Sequence, residues 1–238
     1  MARRLLRQKL GSPAMGIALG VLALLTAIQA ALSDPERALG AGIFALALIG
    51  AGSVSRDASS GALQMILARP IRRTQYLFGR YLGILAAYAI YVAATAAIGL
   101  ALSRLLPRLL GSVAPAGAPT ADFVRGAGTA LLNALLFAAI LLCFSTFLRG
   151  YADVLAYILL SLLLGLVPGL GQSLHADWLR RFGETLRENV LPNVDWSEVL
   201  RGHDPLREAT GRYVLAVVAF LTLATVIFSR REFAYGQD

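Results

Sequence analysis

RDASSGALQMILARPIRRTQYLFGRYLG, residues 56–83, is a polar and basic interlude between two long apolar runs. Its first half fits a short amphipathic helix, because Leu63, Ile66 and Leu67 recur at helical spacing while Asp57, Ser59, Ser60, Gln64 and Arg69 are polar. Pro70 fixes φ and lacks an N–H, so this helix should stop just before it. Arg72 and Arg73 follow, then Thr74 as the expected N-cap of the next apolar helix. A short apolar-faced helix between two spans is either a docking element for a partner or a loop lying on headgroups, arginines on phosphates. The pattern alone fits both equally.

The composition on either side sets the class. Hydrophobic residues make up 57% of the 238, charged residues 15%, and mean hydropathy is +0.66. Several uncharged stretches approach the ~20 residues needed to cross a ~30 Å hydrocarbon core. The expected fold is therefore an all-α integral membrane protein with six transmembrane helices, forming a single domain over residues 1–238 with no room for a soluble catalytic domain. The net charge of +8 finds a use in the positive-inside rule, so no nucleic-acid partner is expected. Cys143, the single cysteine, sits in an apolar run, allows no intrachain disulfide and reads as a small buried apolar residue.

Residues 1–12 carry Arg3, Arg4, Arg7 and Lys9 among leucines and read as an N-terminal interfacial helix. A basic start with small residues near Ala30 and Ala31 also imitates a signal peptide. The apolar run from Ala14 to Leu32 is longer than a usual signal core, which favours a retained span. Gly16 and Gly20 make a GxxxG face on it. Further spans are expected near 38–54, 76–102, 126–148, 154–170 and 213–229, with a Pro/Gly/Ala-rich linker from Arg104 to Val124. Asp153 follows a tight turn at Arg149-Gly150 and reads as a helix cap rather than an ion site. In the outer loop, 171–212, Leu179, Phe182, Leu186 and Val190 share one helical face, as expected of an amphipathic helix over 178–190 lying on the membrane. Asp195 to Glu198 is similar to a capping box that starts a second short helix. Six spans put both termini on one side. Arg and Lys cluster at the N-terminus, in residues 56–83 and at Arg149, Arg230 and Arg231, so that side is assigned to the cytoplasm.

Asp57, Gly61, Leu63, the Leu67/Pro70 pair, Arg73 and Gly79-Arg80 fall in an order that resembles the coupling-helix region of type-2 ABC exporter permeases. Asp57 stands where that family usually has Glu, Ala62 where it has Thr, and Arg80 where it has Lys. A second likeness joins Leu191-Pro192-Asn193 to the closing Phe228-Ser229-Arg230-Arg231-Glu232-Phe233, and resembles the branch associated with multicopper-enzyme maturation. The resemblance implies a cytoplasmic coupling helix between spans 2 and 3, at 56–73, and short outer-face helices between spans 5 and 6. It implies a dimer of permeases over separate ABC ATPase subunits that hold ATP and Mg, in a bacterial or archaeal inner membrane. Leu63, Ile66 and Leu67 would anchor in the ATPase, with Asp57 and Arg73 as polar contacts at the rim. Arg149, Gly150 and Asp153 would form a second, smaller cytoplasmic contact.

Missing chemistry narrows the function further. No expected span holds a carboxylate, lysine or histidine near its centre, which disfavours a proton or ion pathway. Gln29, Ser53, Thr95, Asn133, Ser145, Thr146 and Ser161 are expected to satisfy one another or the backbone. A P-loop needs a lysine after its glycine turn, and the only lysine is Lys9, so the chain cannot power itself with ATP. His175 and His203 stand far apart without a Cys or Met cluster and read as solvated loop residues, not a copper or zinc site. The charges at Glu184, Glu188, Asp195 and Asp204 fit an amphipathic surface better than an acid–base pair. No enzyme, bound cofactor or metal is expected. Beside a permease, the alternatives are a non-transport scaffold or sensor subunit and, third, a secondary transporter.

Overall fold

The structure is a computed structural model that describes residues 13–40, 42–54, 57, 72–110, 119–148, 152–173, 176–192, 194–200 and 207–230. Among these the chain is helical without strands. The helices are α1 (Pro13–Leu32), α2 (Pro35–Gly40), α3 (Ile43–Gly50), α4 (Arg73–Leu110), α5 (Thr120–Ser145), α6 (Ala152–Ser173), α7 (Asp177–Val190), α8 (Trp196–Leu200) and α9 (Arg207–Arg230). Four described stretches are long and apolar enough to cross a membrane: Pro13–Leu32, Arg73–Pro107, Thr120–Ser145 and Ala209–Arg230. A shorter apolar stretch runs from Ala152 to Pro168 in α6. Large apolar side chains such as Ile17, Val21, Leu24 and Leu25 on α1, and Leu155, Leu159, Leu162 and Leu166 on α6, point outward. Such faces suit hydrocarbon and not water.

Local chemistry explains several boundaries, and some differ from expectation. Asp34 Oδ1 accepts the Glu36 N–H at 3.0 Å, and Pro35 occupies the first helical position, a standard start for α2. The run expected as one span over 38–54 is instead α2 and α3 in succession. At the head of α4, the Arg72 N–H donates to Gln75 Oε1 at 3.1 Å and the Arg72 carbonyl accepts from Tyr76. Gln75, three positions into the helix, thus does the reciprocal bonding expected of a capping box, and Thr74 lies inside the first turn rather than at the cap. α4 also continues through Pro107 to Leu110, and α5 starts at Thr120, so both ends of the expected 104–124 linker are helical. Leu105 and Leu106 are good helix formers, and the run of glycine and proline that opposes a helix begins only at Gly111. α6 likewise continues through Pro168 to Ser173.

By contacts the chain forms two compact units. One draws on residues 1–50, 79–138 and 196–203. Its apolar centre includes Ala30, Ala38, Leu39 and Phe123, with Ala96 and Leu100 packed against them. At its edge Arg125 Nε lies 3.0 Å from Glu36 Oε1 and also pairs with Asp122. Among the described residues, a β-carbon at Gly20 would meet nothing within 4 Å, so none of them packs against that end of the GxxxG face. The other unit draws on residues 51–78, 139–195 and 204–238. There α7 lies against α6, and a β-carbon at Gly183 would come 2.8 Å from the nitrogen of Pro168. Arg212 at the head of α9 donates to Glu188 on α7 at 2.9 Å.

Candidate functional site

Residues 51–54 follow α3 as a turn and all four are buried. Buried amides outside a helix need acceptors from elsewhere, since none can be left to water. Two side chains distant in sequence provide them. Asp153 Oδ2 accepts the Gly52 N–H at 2.7 Å, and Ser145 Oγ accepts the Val54 N–H at 3.0 Å. Gly52 has φ of 63°, a left-handed conformation that glycine adopts without the usual Cβ penalty. Asp153 is fully buried, and its Oδ1 takes the Val154 N–H in the first turn of α6, where the helix dipole favours a carboxylate. Ser145 closes α5 and Asp153 lies in the first turn of α6, so the two ends of the α5–α6 connection are both fastened to the 51–54 turn.

A second set of bonds begins at Asp57, which is only 5% exposed. Its Oδ2 accepts the Tyr76 hydroxyl proton at 2.7 Å. Tyr76, in the first turn of α4, stacks on Phe228 of α9 with ring centroids 5.7 Å apart. Arg73 Nη1 donates to the Ser229 carbonyl at 2.9 Å and, more loosely, to the Phe228 carbonyl at 3.4 Å. Those carbonyls lie in the last turn of α9, where helical acceptors lack intrahelical donors and a cation complements the dipole.

Of the residues singled out from the sequence, Asp57, Arg73 and Asp153 all enter these bonds within one unit. Gly79 and Arg80 lie further along α4 in the other unit, with Arg80 buried at 7% exposure. Gly61, Leu63, Ile66, Leu67, Pro70, Arg149 and Gly150 lie outside the described residues, as do residues 1–12, Arg231 to Phe233, His175 and His203. Four participants were not singled out as site residues: Gly52, Ser145, Tyr76 and Phe228. Gly52-Ser53 after an apolar run is a turn signal that marks the first. The stacking of Tyr76 on Phe228 joins the two motif-like stretches, but nothing local announces contacts that span some 155 residues.

The hydrogen bonds of this arrangement join backbone or side chain of the segment's ends to α5, α6 and α9, and among the described residues no group of three metal-ligating side chains occurs. Apolar helices long enough to span a bilayer define a multi-pass membrane protein. Residues 37–177, more than half of the chain, match the family described as ABC-2 family transporter protein, and the chain belongs to that family. It is therefore a permease, the membrane component of an ABC transporter. The match is to the family as a whole and does not extend to the multicopper-maturation branch. No curated protein and no solved structure matches the chain.

Proposed function

We propose that this chain is the membrane subunit of an exporter, working as a dimer with itself or a similar permease above two separate ATPase subunits. The observation that carries this reading is the family match over 37–177, which contains both the 56–73 segment and the Arg149–Asp153 turn. In this reading residues 1–238 form one permease domain of six spans, in which α2 and α3 together make the second and α6 the fifth. Both termini face the cytoplasm of a bacterial or archaeal cell, and membrane lipid covers the apolar faces. Residues 56–73 dock on an ATPase through Leu63, Ile66 and Leu67, and Arg149, Gly150 and Asp153 mark a second contact region. ATP and Mg bind the partner, which closes on ATP and drives the coupling segment. The work done depends on the partner distinguishing two permease states.

The test is assembly. Leu63→Asp with Leu67→Asp places two carboxylates where the docking face is apolar, and burying them unpaired costs several kcal/mol. The tagged double variant should reach the membrane at wild-type level yet bring down no ATPase in mild detergent. Normal recovery of the ATPase by that variant defeats the docking role, and a wild-type chain that brings down no ATPase leaves a scaffold as the better account.

A further inference from the structure

The two charged ends of the 57–73 segment face the permease itself. Asp57 is 5% exposed and holds the Tyr76 hydroxyl, while Arg73 holds the two carbonyls at the end of α9. Asp57, buried in this way, is poorly placed to be a rim contact for a partner, and the half-exposed Arg73 is already engaged by α9. They are well placed to fix the segment to something that must move with it.

We propose that Asp57, Arg73, Tyr76 and Phe228 form a latch that ties the coupling segment to the C-terminal end of α9, and that Asp153 and Ser145 form a matching clasp to α5 and α6. This rests on the exporter reading above. Asp57 and Arg73 are positioning residues. Displacement of the segment then reaches α9 through the first turn of α4, and α6 through the Asp153 clasp, without having to travel the length of α4. Three features of the latch favour a stiff connection. The Asp57–Tyr76 bond at 2.7 Å is buried, where a charge-assisted hydrogen bond is strong. The ring of Tyr76 is held flat on Phe228, with 1% and 0% of these residues exposed. Arg73 Nη1 reaches two successive carbonyls at a helix end, where its charge complements the dipole. The closing Phe228-Ser229 of the chain, otherwise only the end of a span, gains a role as the anchor. α7 continues the connection, because Gly183 sits against Pro168 of α6 and Glu188 takes Arg212 of α9.

The experiment uses the complete complex of this permease and its ATPase in lipid vesicles. An environment-sensitive dye is attached at Thr185→Cys on α7, in a Cys143→Ala background, and its response to ATP with Mg is recorded. Tyr76→Phe keeps the ring stack and removes the hydroxyl. Arg73→Met removes the guanidinium, and Arg73→Lys restores a cation. The latch predicts that Tyr76→Phe and Arg73→Met retain the ATPase within about twofold while the dye response falls at least ~5-fold, the lower end of ordinary inter-site coupling. Arg73→Lys should recover a good part of that loss. A purely structural role lowers assembly and response together. A wild-type response in both variants overturns the latch, as does loss of the ATPase along with the response. An absent response in the wild-type complex also overturns it. The exporter reading stands or falls separately, on recovery of the ATPase by the Leu63→Asp, Leu67→Asp variant.

Discussion

Asp153 shows how a single side chain decides whether a loop is held. Gly52 lies in a buried turn, and the carboxylate that accepts its N–H at 2.7 Å does what the helix ladder does elsewhere. Asp153→Ala should leave that donor unsatisfied and cost about 1–3 kcal/mol, the range for orphaning a buried hydrogen-bonding group. Asp153→Asn keeps an acceptor oxygen and should cost less. Thermal unfolding of the purified permease in detergent reads the difference, and equal melting points for wild type and Asp153→Ala would remove the clasp from the stability of this loop. From sequence, Asp153 reads as the cap of a helix, and it lies inside the first turn of α6, one residue after its start at Ala152. Its bond to Gly52 was not legible, because a partner 101 residues away leaves no periodicity or spacing behind. The same holds for Asp57. A polar residue at the edge of an amphipathic segment reads as solvent-facing, and only the fold reveals that Tyr76 covers it.

At the scale of the element, apolar runs were easy to find and their ends were not. α1 and α7 fall within a residue or so of the expected limits, since Pro13 can open a helix and the apolar stripe of α7 is unmistakable. α4 and α6 overrun theirs through Pro107 and Pro168, because proline forfeits one hydrogen bond but does not end a helix whose other contacts hold it. α7 also carries a prediction. Its inner side is Gly183 against Pro168, while Trp178 and Phe182 are 72% and 58% exposed. Arg180, Arg181 and Arg187 are exposed as well. An exposed aromatic stripe flanked by arginines fits the headgroup boundary of a bilayer, apolar side in the acyl chains and guanidinium groups on phosphates. Trp196→Phe leaves Trp178 as the only tryptophan. Its fluorescence in vesicles should then be quenched best by lipids brominated near the headgroup end of the chain. Strong quenching by an aqueous quencher with none from brominated lipid would place α7 in water.

For the whole molecule the open quantity is orientation, and the arginines argue it. Arg3, Arg4, Arg7 and Lys9, the arginines of 56–83, and Arg149, Arg230 and Arg231 all fall on one side of a six-span arrangement. The other side holds the long loop 171–212, whose charges alternate in sign, and also Arg37, Arg104, Arg108 and Arg125, which weaken the bias there. Three of these have local partners. Arg37 lies 3.5 Å from Asp34, Arg125 pairs with Asp122 and Glu36, and Arg104 donates to Thr120 at 3.1 Å. On the positive-inside rule the first group, dense beside the first, second and last expected spans, is predicted to face the cytoplasm. Single cysteines in a Cys143→Ala background test this with a membrane-impermeant maleimide. Ser112→Cys and Thr185→Cys should react in intact cells, and Ser59→Cys and Gln237→Cys only after the membrane is opened. Reaction of Ser59→Cys from outside would turn the protein over, carry the 56–73 segment away from any cytoplasmic ATPase, and end the coupling role with it. Reaction of Ser112→Cys and Ser59→Cys on the same side would instead break the six-span count, because the stretch between them would cross the membrane an even number of times.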